Sequence, residues 1–120
     1  MSMQLKFEEK ANYLFARITG AGVAEEVAQH FELLAKHCNH TNKNKLLIDC
    51  TEVPAGIPLI DIYHLGERSL VFVQFKCKVA VFCKPEHYDS KSFLETTARN
   101  RGVDLCVFTN IEDAEKWLLK

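Results

Sequence analysis

Proline, glycine and tryptophan are scarce: three, five and one in 120 residues. So few chain breakers exclude a collagen-like rod, a proline-rich spacer and a low-complexity tail. Charge of one sign is not in excess either. Fifteen Lys and Arg stand against 16 Asp and Glu, a net charge of −1. Nucleic-acid binders carry a clustered positive surplus, so no nucleic-acid partner is expected. Long apolar runs are missing as well. The longest, Leu70 to Phe75, is interrupted by Gln74 and falls far short of the roughly 18–20 residues that span a bilayer. Met1 to Lys10 contains no apolar secretory core. No transmembrane segment is expected.

The cysteines Cys38, Cys50, Cys77, Cys83 and Cys106 are odd in number, and no two form a C-x-x-C. Cys50, Cys83 and Cys106 sit in or at the end of apolar, strand-like runs. That pattern fits reduced thiols used as small core residues and a cytoplasmic protein. The motifs of common chemistries are also missing. There is no G-x-S-x-G nucleophile elbow, no G-x-G-x-x-G and no Walker lysine. His37-Cys38-x-His40 is the densest group of metal-ligand types, but no second half completes a four-ligand set. Cys50 and Cys83 have no histidine at a spacing that pairs them as nucleophile and base. No catalytic residue, metal or cofactor is assigned.

What the chain does have is the balance of a globular domain, 48% apolar and 26% charged. Its length suits a single domain over 1–120. Residues 4–8 and 13–19, joined by a short polar link, read as an antiparallel hairpin. Val23 to Cys38 has helical spacing, with Val27, Phe31, Leu34, Ala35 and Cys38 on one face. Leu46-Leu47-Ile48 is apolar without alternation, as in a central strand covered on both faces. A loop follows through Pro58. A second helix is expected over about 59–73, with Leu59, Ile62, Tyr63, Gly66, Leu70 and Val73 as its buried stripe. Val79 to Phe82 and Leu105 to Phe108 are further buried strands. Between them lies a helix capped by Ser90 or Ser92, with Ser92 and Glu95 matching a capping box. Gly102 stops that helix. Asn110 opens a last helix with Ala114, Trp117 and Leu118 on its apolar face. The order β-β-α-β-α-β-α-β-α predicts an α/β fold: an opening β-hairpin, then a mixed, mostly parallel sheet flanked by helices.

That order, the stretch Leu47-Ile48-Asp49-Cys50-Thr51-Glu52-Val53 and the ending from Arg101 to Leu118 resemble the SpoIIAA-like branch of the STAS superfamily. In the ending, the strand Leu105-Cys106-Val107-Phe108 leads into a helix closing on Ala114-Glu115-Lys116-Trp117-Leu118. Lys78-Val79-Ala80-Val81-Phe82 is similar to the branch's penultimate strand. The resemblance implies a SpoIIAA-like (STAS-type) fold without catalytic chemistry, acting as a protein-binding regulatory switch. In such switches a Ser in an Asp-Ser-Ser-Gly-like motif opens the helix after the central strand and accepts phosphate. Here that region reads Pro54-Ala55-Gly56-Ile57-Pro58-Leu59-Ile60-Asp61, with no Ser or Thr, so the phosphoswitch is not carried over. The branch also resembles lipid-binding Sec14-type folds.

Loops that follow central strands carry function in open α/β sheets. The expected contact surface is therefore Asp49, Cys50, Thr51, Ile57, Leu59 and Tyr63, with a protein as partner. The alternative is a small carrier or sensor of an apolar, lipid-like molecule, lined by Leu65, Phe72 and Phe75. The apolar second helix also offers a surface for a homodimer.

Overall fold

The computed structural model describes residues 4–20, 24–52 and 59–120. Strands β1 (Gln4–Glu9) and β2 (Leu14–Thr19) form the opening antiparallel hairpin. Helix α1 (Ala24–Thr41) leads to β3 (Lys45–Glu52). Helices α2 (Leu59–Arg68) and α3 (Val71–Gln74) lead to β4 (Lys78–Phe82). A 3-10 turn (Pro85–His87) and α4 (Tyr88–Arg99) precede β5 (Asp104–Phe108) and α5 (Ile111–Leu118).

The five strands lie side by side in chain order, and every neighbouring pair after β1·β2 is parallel. Right-handed crossovers that always step the same way place their helices on one face. Helices α1 to α4 accordingly share one core with Leu14, Ala16, Ile18, Leu46, Ile48, Val79, Val81, Leu105 and Val107. Helix α5 covers the other face, packing Ala114 and Leu118 on Leu47 and Ala80. Strand β3 is the middle strand, and Leu46, Leu47 and Ile48 are all fully buried, as a run without alternation requires. The α1 face reads as expected: Val27, Phe31, Leu34, Ala35 and Cys38 are buried.

Strand β3 runs on to Glu52, so Asp49, Cys50 and Thr51 lie within it and not in the loop after it. Three helix boundaries also differ from the sequence reading. Helix α1 continues to Thr41. The second helix breaks after Arg68: the buried Ser69 turns its hydroxyl onto the Gly66 carbonyl at 2.5 Å, and the Leu70 N–H tightens to the Glu67 carbonyl. The break resets the helical phase. Ile62, Leu65 and Phe72 are buried, whereas Tyr63, Leu70 and Val73 are exposed. Third, α4 starts at Tyr88, upstream of both candidate caps. Ser92 donates to the Asp89 carbonyl, and Glu95 instead accepts the Val107 N–H of β5 at 2.6 Å. Asn110 does cap α5, accepting from the N–H groups of Glu112 and Asp113.

Three helices end in the same way. After α1, α3 and α4, a left-handed residue turns the chain so that the next N–H reaches back five residues. The bonds are Lys43 to Cys38, Cys77 to Phe72 and Val103 to Ala98. The left-handed residues are Asn42 (φ 61°), Lys76 (φ 56°) and Gly102 (φ 86°). A Cβ at Gly102 would meet no atom within 4 Å, so Gly102→Ala costs only the backbone strain, about 1 kcal/mol. Lys76 already bears that strain, so Lys76→Gly should stabilise by a similar amount. Urea titrations of the two variants check the opposite signs.

The half-buried His30 of α1 has a buried Nδ1 with no hydrogen-bond partner among the described residues. Burial pulls its pKa below the ordinary 6.5, against a smaller upward pull from Glu26. The folded state therefore binds less proton than the unfolded chain, and this contribution to stability is present above pH 6.5 and lost as pH falls through it. Thermal melts between pH 8 and 5.5 should show the wild type losing more stability on acidification than His30→Gln. Equal losses would contradict the assignment.

Candidate functional site

The C-terminal end of β3 divides its side chains between the two faces of the sheet. Cys50 falls with Leu46 and Ile48 on the α1–α4 side, where it packs against the main core. Asp49 and Thr51 fall on the α5 side. The Asp49 carboxyl is buried, with the residue only 3% exposed. Its Oδ1 accepts from the Thr51 N–H at 2.9 Å and the Thr51 hydroxyl at 2.6 Å, and its Oδ2 accepts from Arg17 Nε at 3.1 Å. The parallel register sets Arg17 directly beside Asp49. Arg17 also lies 5.7 Å from the Phe15 ring centroid, and Lys10 lies 5.8 Å from it.

Both oxygens of Asp49 are thus occupied by donors. With three donors on it, the buried carboxylate acts as an anchor that fixes β2 to β3. The Thr51 hydroxyl is likewise committed to Asp49. Arg17 escaped the sequence reading. Its one signal was a single charge inside the apolar run Leu14-Phe15-Ala16-Arg17-Ile18.

The remaining expected contact residues are Ile57, Leu59 and Tyr63. Ile57 lies outside the described residues, and Leu59 opens α2 with its side chain likewise outside them. Tyr63 is exposed on α2, where its hydroxyl accepts from Arg101 Nη2 at 2.9 Å and its ring lies 5.0 Å from the Arg101 guanidinium. Glu67 joins Arg101 at 3.5 Å and His64 Nδ1 at 2.9 Å. Tyr63 therefore belongs to an α2–α4 surface cluster separate from the Asp49 network.

Burial pushes the thiols of the same strand ends upward. Cys50 rises to about 11, and Cys83 is raised too, against a smaller lowering pull from Lys91 on each. Both are protonated at neutral pH and unlike an activated thiolate. Cys38 is a core residue of α1, and the neighbouring His37 ring stacks on Phe7 at 4.5 Å. Among the described residues no group of three His, Cys, Asp or Glu side chains is arranged to hold a metal ion, and no helix is long and apolar enough to cross a membrane.

Leu65 and Phe72 fill the main core. Phe72 is fully buried with its ring 5.3 Å from that of Phe31, and Phe75 packs on the same core from a half-buried position. Leu65 and Ala28 also border a groove of about 540 Å3 between α1 and α2, whose other walls carry Glu25, Asp61, His64, Glu67 and Arg68. That groove is charged, and Arg68 spans it to Glu25 and Glu32 at 2.8 and 3.1 Å.

Solved structures share this architecture. An anti-sigma factor antagonist from Mycobacterium paratuberculosis superposes with a TM-score of 0.59 at 14% identity, over 99% of this chain and 96% of that one. An uncharacterised protein of the DUF3478 family with a SpoIIAA-like fold, from Shewanella loihica, superposes with a TM-score of 0.56 at 22% identity, over 98% and 93%. The chain has the SpoIIAA-like fold. No family model and no curated protein sequence matches it.

Proposed function

We propose that this chain is a non-enzymatic regulatory module of SpoIIAA-like type that binds a protein and works without a phospho-acceptor serine. The observation that carries the reading is the closed Asp49 network. It spends the polar groups at the end of the central strand on holding the rim rigid, which suits a contact surface. The protonated thiols at the same strand ends support it. So does the fold shared with an anti-sigma factor antagonist. The surface comprises Arg17 and Thr51, braced from beneath by the buried Asp49, together with Ile57 and with Leu59 at the start of α2.

The test uses the double variant Ile57→Asp, Leu59→Asp as bait in native cytosol, beside the wild type. Proteins captured by the wild type should fall about tenfold or more with the variant, while its melting temperature stays within a few degrees. Equal capture by both baits would remove this surface, and no specific capture by the wild type would remove the module.

A further inference from the structure

Strand β1 is an edge of the sheet, and five of its six residues are exposed. Its pairing with β2 fixes which backbone groups it leaves free. Lys10 donates its N–H to the Tyr13 carbonyl, and the β1·β2 register continues that pairing with Glu8 opposite Phe15 and Lys6 opposite Arg17. In an antiparallel pair these alternate residues turn their N–H and C=O groups inward. Leu5, Phe7 and Glu9 therefore turn theirs to the open edge.

From this edge we infer that the chain forms a symmetric dimer by antiparallel pairing of β1 with β1 of a second copy, the two-fold axis passing through Phe7. In that register Phe7 pairs with Phe7 and Leu5 with Glu9 of the second copy, so every pair that must exchange hydrogen bonds is built from residues with outward-facing groups. The intervening pairs are Lys6 with Glu8 and Glu8 with Lys6. They are of the non-hydrogen-bonded kind, in which cross-strand side chains lie closest. The strand Gln4-Leu5-Lys6-Phe7-Glu8-Glu9 is thus complementary in charge to its own two-fold copy. Shifting the register by two residues either way sets Lys6 against Lys6 or Glu8 against Glu8, which repel. An edge lysine ordinarily guards against open-ended strand stacking. Here it admits one register, and a two-fold pair closes on itself.

The apolar surface beside the edge fits the same occupant. Phe7 is 44% exposed although it stacks on His37, and Leu33, one turn before His37 on α1, is 53% exposed. The two-fold axis brings the two Phe7 side chains together on that side. Lys10 already reaches Glu8 Oε1 at 3.2 Å, and Glu8 remains well exposed, so its second oxygen is left for Lys6 of the other copy.

Sedimentation velocity over a concentration series tests this on the whole chain. The wild type should dimerise with a Kd between about 10 and 500 µM, as a small interface allows. Lys6→Glu and Glu8→Lys should each weaken the dimer about tenfold or more, since each gives positions 6 and 8 the same charge. An equimolar mixture of the two variants should associate, because an edge that is acidic at both positions then faces one that is basic at both. The swap Lys6→Glu, Glu8→Lys should restore the homodimer. A monomeric wild type throughout the series would overturn the proposal. So would a dimer that survives Glu8→Lys, because its register would not pair Glu8 with Lys6.

Discussion

Phe72→Ala should lower the unfolding free energy by about 3–5 kcal/mol, the cost of losing a large buried aromatic and leaving a cavity. Phe72 is fully buried, tilts against Phe31, and sits in a four-residue helix whose main tertiary anchor is this ring. For a domain of this size the loss corresponds to a fall in Tm of about 12–20 °C. Natural domains are stable by only about 5–15 kcal/mol, so the variant would lie near the edge of folding. Scanning calorimetry checks it. The size of the effect also separates two roles. A side chain that completes the core takes stability with it when truncated, whereas one lining a ligand cavity mainly takes affinity. A loss under about 1 kcal/mol would return Phe72 to the cavity-lining role and favour an apolar carrier.

Gly66→Ala should destabilise by about 2–3 kcal/mol, the opposite sign to the roughly 1 kcal/mol that helix propensity alone favours. A Cβ at Gly66 would overlap both the Cβ and the Cγ2 of Thr97, where α2 and α4 pack together. Thr97 has little room to give. It is buried, and its hydroxyl donates to the Phe93 carbonyl at 2.8 Å. Thr97→Ala removes Cγ2 but keeps Cβ, so adding it to Gly66→Ala should recover only part of the loss. A double-mutant cycle measured by urea unfolding reads this coupling directly. A stabilised Gly66→Ala would mean that α2 and α4 lie farther apart than the structure places them.

Much of this fold is legible in the residues because their local signals act over a few positions. The unalternating Leu46-Leu47-Ile48 predicts a strand covered on both faces, Gly102 a left-handed helix stop, and Asn110 a cap, and the structure has all three. Gly66, placed on the buried stripe, is the point where α2 packs closely on Thr97. The failures come where tertiary contacts outweigh local ones. Ser92 and Glu95 have capping-box spacing, but Glu95 takes the N–H of Val107 on the neighbouring strand. The buried Ser69 breaks the second helix and shifts the apolar phase by part of a turn. That shift buries Phe72 and exposes Leu70 and Val73, whereas Tyr63, upstream of the break, is exposed because it lies off the Ile62 and Leu65 face of α2.

The candidate site was legible only in part, for the same reason. Its centre at Asp49 follows from the position just after the apolar run of a central strand, although the strand itself runs on to Glu52. Its partner Arg17 lies 32 residues away and is brought in by parallel register across an intervening helix, which no local pattern records. Tyr63 is near Asp49 in sequence, but α2 carries it on the face of the sheet opposite the Asp49 side chain, where its partner is Arg101 just past α4.

The most direct test of the binding-module account is native mass spectrometry of the protein as purified from cells. With Leu65 and Phe72 spent on the core and the adjoining groove walled by charge, the account predicts the polypeptide mass alone in every subunit. It holds whether the ions are single chains or pairs. An additional mass of a few hundred daltons that organic extraction removes would contradict it, and would mark the chain as a carrier of an apolar ligand.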